Sequence, residues 1–141
     1  MYTEQKPSKK WVGQRFESYT ADWLTYNGYK ILKRNYSAEH KEIDIIALKN
    51  GTICFVEVKS ERISPENSDR DTPPEKITPE KMRNIVSGAR FYIAELRKNG
   101  IDPYEFDYRF DGAGILFDEE YHVMEFKYFE RLYTVDEEAF L

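Results

Sequence analysis

The sequence is poor in the residues that build disulfides, zinc sites and membrane spans. It holds one cysteine, Cys54, and two histidines, His40 and His122. A single cysteine excludes an internal disulfide framework, and a reducing cytoplasm is the expected compartment. The two histidines are far apart and have no cysteine or histidine at ligand spacing, which argues against zinc. No apolar run approaches the roughly 20 residues of a membrane helix. The opening MYTEQKPSKK lacks the apolar stretch of a secretory signal. Neither a Walker-type phosphate loop nor a G-x-S-x-G nucleophile elbow is present.

Charge and aromatic residues are plentiful. Of 141 residues, 33% are charged, 40% hydrophobic and 16% aromatic, with a net charge of -5. That is enough apolar material for the core of one domain. The acidity is local: residues 101–141 carry 12 acidic against 3 basic side chains, whereas residues 1–62 carry 8 against 11. The acidic end reads as a solvating surface. Phosphate binding depends on local field, so the negative total leaves a nucleic-acid partner open.

Residues 1–12 read as a flexible arm and 13–141 as a single domain. From Gly13 to about Tyr26 the positions Phe16, Tyr19, Trp23 and Leu24 recur at helical spacing, and Asn27-Gly28 is a stop signal. YKILKRNY reads as a strand. Two further apolar segments, 43–48 and 52–58, flank Asn50-Gly51, a strong hairpin signal. Residues 60–77, with three prolines, read as a long exposed loop. Thr78 and Pro79 supply an N-cap and first helical position for a second helix, which Asn99-Gly100 ends. YEFDYRF, AGILF and YHVMEFKYF read as strands, with Asp111-Gly112 at a turn or bulge. The fold class is mixed α/β, in the order α-β-β-β-α-β-β.

With Asn50 and Gly51 at the centre of a type I′ turn, facing pairs follow from the register. Ala47 meets Cys54, Ile45 meets Val56 and Ile43 meets Val58 on an apolar side expected to lie on the core. The other side pairs Ile46 with Phe55, Asp44 with Glu57 and Glu42 with Lys59. An opposite-charge pair such as Glu42–Lys59 has a structural explanation, but like charges across a ladder destabilise it. Asp44 and Glu57 could be reconciled by a divalent cation, by a proton, or by splaying into water. Lys59, two residues after Glu57, shares its face and could stabilise a phosphoryl group or position a water. Cys54 falls on the apolar side and reads as a core thiol. The eleven tyrosines could stack on bases, but most fit core stripes.

The ordered set Gly13 and Glu17, Arg34-Asn35, Glu42-Ile43-Asp44, Phe55-Val56-Glu57-Val58-Lys59, Thr78-Pro79 with Lys81, and Arg109-Phe110-Asp111 resembles the YraN-like family. That family is similar to archaeal Holliday junction resolvases and belongs to the PD-(D/E)xK nuclease superfamily. The resemblance implies a restriction-endonuclease-like fold, with a central mixed sheet flanked by helices. It implies a metal-dependent nuclease acting on DNA, including branched or damaged DNA, with Mg²⁺ or Mn²⁺ as cofactor. Asp44, Glu57, the Val58 backbone carbonyl and Glu17 would be metal ligands, and Lys59 the catalytic lysine. Glu17 also has a plain reading, as a first-turn carboxylate that satisfies the helix dipole.

Lys81, His40 and Lys41 are candidate nucleic-acid contacts, each with an ordinary surface role as the alternative. His40-Lys41 stand where the family usually has glycine. A homodimer fits the paired sites of branched-DNA resolvases, and the negative net charge leaves room for a protein partner that supplies DNA affinity. The rival reading is a non-catalytic nucleic-acid-binding or assembly module that retains the fold.

Overall fold

The first helix begins earlier than its apolar spacing implies, because Ser8 caps it. The Ser8 side chain accepts a hydrogen bond from the Trp11 N–H, and α1 runs Lys9–Tyr26. An N-cap hydroxyl satisfies one of the helix's orphan donors. Residues 9–12, expected in an arm, are therefore helical. The chain is described by a computed structural model over residues 6–64 and 77–141. The remaining elements are β1 (Lys30–Ala38), β2 (Lys41–Lys49), β3 (Thr52–Arg62), α2 (Pro79–Lys98), β4 (Asp107–Phe117) and β5 (Val123–Tyr133), plus short 3₁₀ turns at Pro103–Glu105 and Glu137–Ala139.

The five strands form one mixed sheet in the order β1-β2-β3-β4-β5, with β3 and β4 parallel and the other neighbours antiparallel. α2 makes the crossover that a parallel pair requires. Ile46, Ile53 and Phe55 pack with Ile85, Ala89 and Ile93 of α2. Ile45, Ala47, Cys54 and Val56 pack with Ala21 and Leu24 of α1. Both faces of the β2–β3 hairpin are thus buried, which corrects the expectation of one apolar face on the core. Each fully buried Ile or Leu stabilises by about 1.5–3 kcal/mol. α2 lies close on β2 at Gly88, where an added Cβ would come within 3.1 Å of Ile43 Cδ1.

Three further expectations are corrected. Residues 60–62 continue β3, paired with Ile115, Leu116 and Phe117, instead of opening the loop; residues 65–76 of that loop lie outside the described residues. Residues 104–106 are not strand, since Pro103–Glu105 form a 3₁₀ turn capped by Asp102. YEFDYRF and AGILF share one strand, β4, and Asp111-Gly112 marks a register shift against β5. Asp111 interrupts no strand because its buried carboxylate is fully engaged. It takes N–H groups from Arg109 at 2.8–3.0 Å, the Tyr128 hydroxyl, and the Arg131 N–H at 3.0 Å.

Candidate active site

The hairpin register holds from Lys49↔Thr52 to Ile45↔Val56, as the Asn50-Gly51 turn dictates. Asp44 then departs from it. Its Oδ2 accepts the Val58 N–H at 2.8 Å, standing in for a main-chain acceptor. Asp44 is therefore not the ladder partner of Glu57; it sits in the gap where β2 and β3 part. Ile43 correspondingly joins Tyr36, Ile46 and Phe55 beneath α2 and does not face Val58. In a strand the N–H and C=O of one residue project toward the same neighbour. The Val58 carbonyl accordingly faces the gap that Asp44 occupies.

Both helices deliver a charged group to this gap. Thr78 caps α2 by accepting the Lys81 N–H at 3.1 Å, which fixes the first turn. From there Lys81 Nζ reaches 3.3 Å from Glu57 Oε1; the Lys81 side chain is 47% exposed and that of Glu57 only 13%. On α1, Glu17 follows the fully buried Phe16 and lies beside Asp44. Its first-turn dipole reading does not apply, because α1 starts at Lys9 and Glu17 is two turns in. Lys59 is exposed two residues beyond Glu57 on β3.

The electrostatics record the crowding. Burial, then the Asp44 charge, push the Glu17 carboxyl up to about 7, against the opposing pull of Arg34. Burial and Asp44 likewise push Glu57 up to about 7, with Lys81 opposing. Burial raises Asp44, while the Val58 N–H and Lys81 hold it down. Burial would lower Lys81, but Glu57 and Asp44 outweigh it and raise its pKa. Asp44 thus drives both Glu17 and Glu57 toward their protonated forms, and Lys81 and Arg34 only partly offset it.

The donor chemistry is that of hard divalent cations, though among the described residues the side chains are not grouped to hold one as they stand. Carboxylate oxygens from β2, β3 and α1 suit Mg²⁺ or Mn²⁺. Glu17 Oε2 is buried with no hydrogen-bond partner among the described residues, the condition that a bound cation relieves. Among the described residues no three Asp, Glu, His or Cys side chains close into a finished cage. Glu57 is turned toward Lys81 instead.

The other candidate residues have plainer places. His40 is exposed and, with Glu39, forms the two-residue turn joining β1 to β2; φ is +49° at Glu39 and +65° at His40. Left-handed φ at both central residues is what a two-residue type I′ hairpin turn requires. Lys41 Nζ donates to Asn84 Oδ1 at 3.1 Å, tying β2 to α2. Arg109 clamps Asp111 and donates to the Tyr29 hydroxyl at 2.7 Å, so the Arg109–Asp111 motif is structural. The ion pair of Lys81 with Glu57 and the cap on Val58 were missed by sequence reasoning, and only the Thr78-Pro79 helix start hinted at the first. Burial pushes the Cys54 thiol up to about 12, as a core position requires.

A mixed sheet between two helices, with carboxylates from two strands and one helix gathered where the strands part, defines an α/β protein with an acidic centre at a sheet opening. The chain belongs to the family described as uncharacterised protein family UPF0102, the YraN-like family, which matches residues 16–115. It is 42% identical over 105 residues to a UPF0102 protein of Chlorobium phaeobacteroides, covering 74% of this chain and 76% of that one. A UPF0102 protein of Chlorobaculum parvum is 37% identical over 107 residues, 76% of each chain. One of Lachnoclostridium phytofermentans is 39% identical over 100 residues, 71% of this chain and 81% of that one.

Proposed function

We propose that this protein is a cytoplasmic, metal-dependent nuclease that hydrolyses phosphodiester bonds in DNA, with branched or damaged DNA as the favoured substrate. The observation that carries the reading is the Glu17–Asp44–Glu57 cluster with its buried, unpartnered Glu17 oxygen. A stability-driven sequence has no use for two buried carboxyl groups, Glu17 and Glu57, that the charge of Asp44 pushes further toward protonation.

Asp44, Glu57, Glu17 and the Val58 carbonyl would hold the ion. A bound Mg²⁺ or Mn²⁺ would polarise the scissile phosphate and acidify the attacking water. The chain's own contribution is orientation and charge. The Val58 N–H fixes the Asp44 carboxylate through Oδ2, so its other oxygen is presented to the centre without a rotamer search. The exposed ammonium of Lys59 is available to the phosphoryl oxygens as their negative charge grows.

The Lys81–Glu57 ion pair favours the second reading, a nucleic-acid-binding or assembly module that keeps the fold without catalysis. There Glu57 already has its cation.

The test is cleavage of single-stranded, duplex and branched DNA with Mg²⁺ or Mn²⁺, alongside calorimetric titration of the ions. The nuclease reading expects divalent-dependent cleavage that Lys59→Ala abolishes without lowering the melting temperature. Absence of cleavage, together with no ion binding that Asp44→Asn removes, would leave the second reading.

A further inference from the structure

Gly13 has no explanation in the packing of the described residues. It lies inside α1, where glycine is the least favourable residue after proline. A Cβ built on it would meet no atom within 4 Å, and its φ is not in the left-handed region. Gly88 is the contrast, since there Ile43 fills the space a Cβ would take. Among the described residues, nothing occupies the space that a side chain at Gly13 would take.

The open space beside Gly13 is a groove of about 390 Å³ between the start of α1 and the end of β3. Lys6 and Lys9 line it from the helix side, Ser60 and Arg62 from the strand, and Tyr121 closes one wall. No carboxylate is among the described residues that line it, in a chain whose net charge is -5. Arg62 is held in place: its Nη2 donates to the Tyr121 hydroxyl at 2.8 Å, and the guanidinium lies 4.9 Å from the centre of that ring. Lys6 and Lys9 are exposed. Cationic side chains, a hydroxyl and a bare helical backbone are the recognition chemistry of a phosphodiester chain.

Its position gives the groove a direction. Gly13 precedes Glu17 by one turn of α1, about 6 Å along the axis. Ser60 and Arg62 line it from the α1 side of β3, the side opposite Glu57 and Lys59. The groove therefore meets the acidic centre from the Glu17 side, at a distance along α1 of roughly two nucleotides at ~3.4 Å of duplex axis each.

We infer that this groove is a subsite for the phosphate backbone of a nucleic-acid strand whose reacting phosphate lies at the Glu17–Asp44–Glu57 centre. Gly13 is glycine so that the backbone can lie directly on α1. The link to a reacting phosphate rests on the nuclease reading; the affinity of the groove does not, and it can be measured without turnover.

The experiment is fluorescence anisotropy of labelled single-stranded, duplex and branched DNA oligonucleotides with the full chain, in Ca²⁺ and separately in EDTA, over a series of salt concentrations. Lys9→Gln and Arg62→Gln should each weaken binding several-fold. Each should also reduce the slope of log K against log salt by about 0.7–0.9, the loss of one phosphate contact. Gly13→Ala should weaken binding several-fold while leaving the melting temperature equal or higher, an outcome that a merely structural glycine would not give.

Unchanged affinity and salt slope in Gly13→Ala and Lys9→Gln would overturn the subsite, and so would failure of the wild-type chain to bind any oligonucleotide under either condition. Groove-dependent binding without divalent-dependent cleavage supports the subsite and removes the nuclease reading. Cleavage with affinity indifferent to these variants does the reverse.

Discussion

Lys81 Nζ stands 3.3 Å from Glu57 Oε1, so the first turn of α2 places a cation of the protein's own beside the acidic centre. The pair couples helix position to the charge of the site. It also sets a competition, because a divalent ion drawing on Glu57 must share that carboxylate with an ammonium.

Lys81→Met should therefore bind Mn²⁺ more tightly in the absence of nucleic acid. About fivefold is expected, ~1 kcal/mol, the upper end for a partly exposed pair. Isothermal titration of the two proteins decides it. Equal or weaker binding by the variant would show that Lys81 does not compete for Glu57.

Stability without metal should fall as pH rises. Glu17 and Glu57 titrate near 7 in the folded chain against an ordinary 4.5, so the folded state holds their protons more tightly than the unfolded state. The stabilisation is complete below about 4.5 and is lost as pH climbs through about 7. Thermal melts in EDTA across that window should show a declining midpoint. Glu17→Gln should flatten the decline, and a pH-independent midpoint for the wild type would contradict the crowding of the three carboxyl groups.

Asp44→Asn should separate structure from ion binding. The amide oxygen can still accept the Val58 N–H, so the melting temperature should stay within a few degrees while Mn²⁺ binding disappears. Asp44→Ala leaves that N–H without its acceptor, at about 1–3 kcal/mol, partly offset by relief of the repulsion with Glu17 and Glu57. Retention of Mn²⁺ binding by Asp44→Asn would move the ion site elsewhere.

Asp111→Ala should be severely destabilising, by about 3–5 kcal/mol in urea denaturation. The Asp111 side chain is fully buried, and Arg109, 13% exposed, would be left with an uncompensated charge. The Tyr128 hydroxyl and the Arg131 N–H would also lose their acceptor. Mn²⁺ affinity of the fraction that folds should be unchanged, because among the described residues Arg109, Asp111, Tyr128 and Arg131 make no hydrogen bond or ion pair with Glu17, Asp44 or Glu57. A loss of ion binding at full stability would contradict the structural role.

Local signals in the chain were enough for the element order. Asn50-Gly51 fixes a turn because it tolerates left-handed φ, and five facing pairs follow from it without tertiary information. Thr78-Pro79 starts α2 for similarly local reasons, and Asn27-Gly28 ends α1. The misreadings have physical causes too. A strand covered by helices on both faces loses the alternation that marks an exposed face, so Ile46 and Phe55 looked like companions of charged residues when they were core. Asp111-Gly112 was legible as a turn or bulge, and it is a bulge; that β4 runs through it was not legible, because Asp111 is held by partners 17 and 20 residues away, Tyr128 and Arg131.

The candidate residues were all named by sequence, but their relations were not. Register predicted Asp44 across from Glu57; the folded chain sends Asp44 to the Val58 N–H and gives Glu57 to Lys81. Local rules determine the order of elements, the turns and which carboxylates share a hairpin, since these depend on neighbours within a few residues. Tertiary structure decides which cation meets Glu57, why Glu17 holds its proton to about 7 and why a groove opens beside Gly13. Those follow from where two helices, distant in the chain, come to rest on one sheet, and from the water they displace.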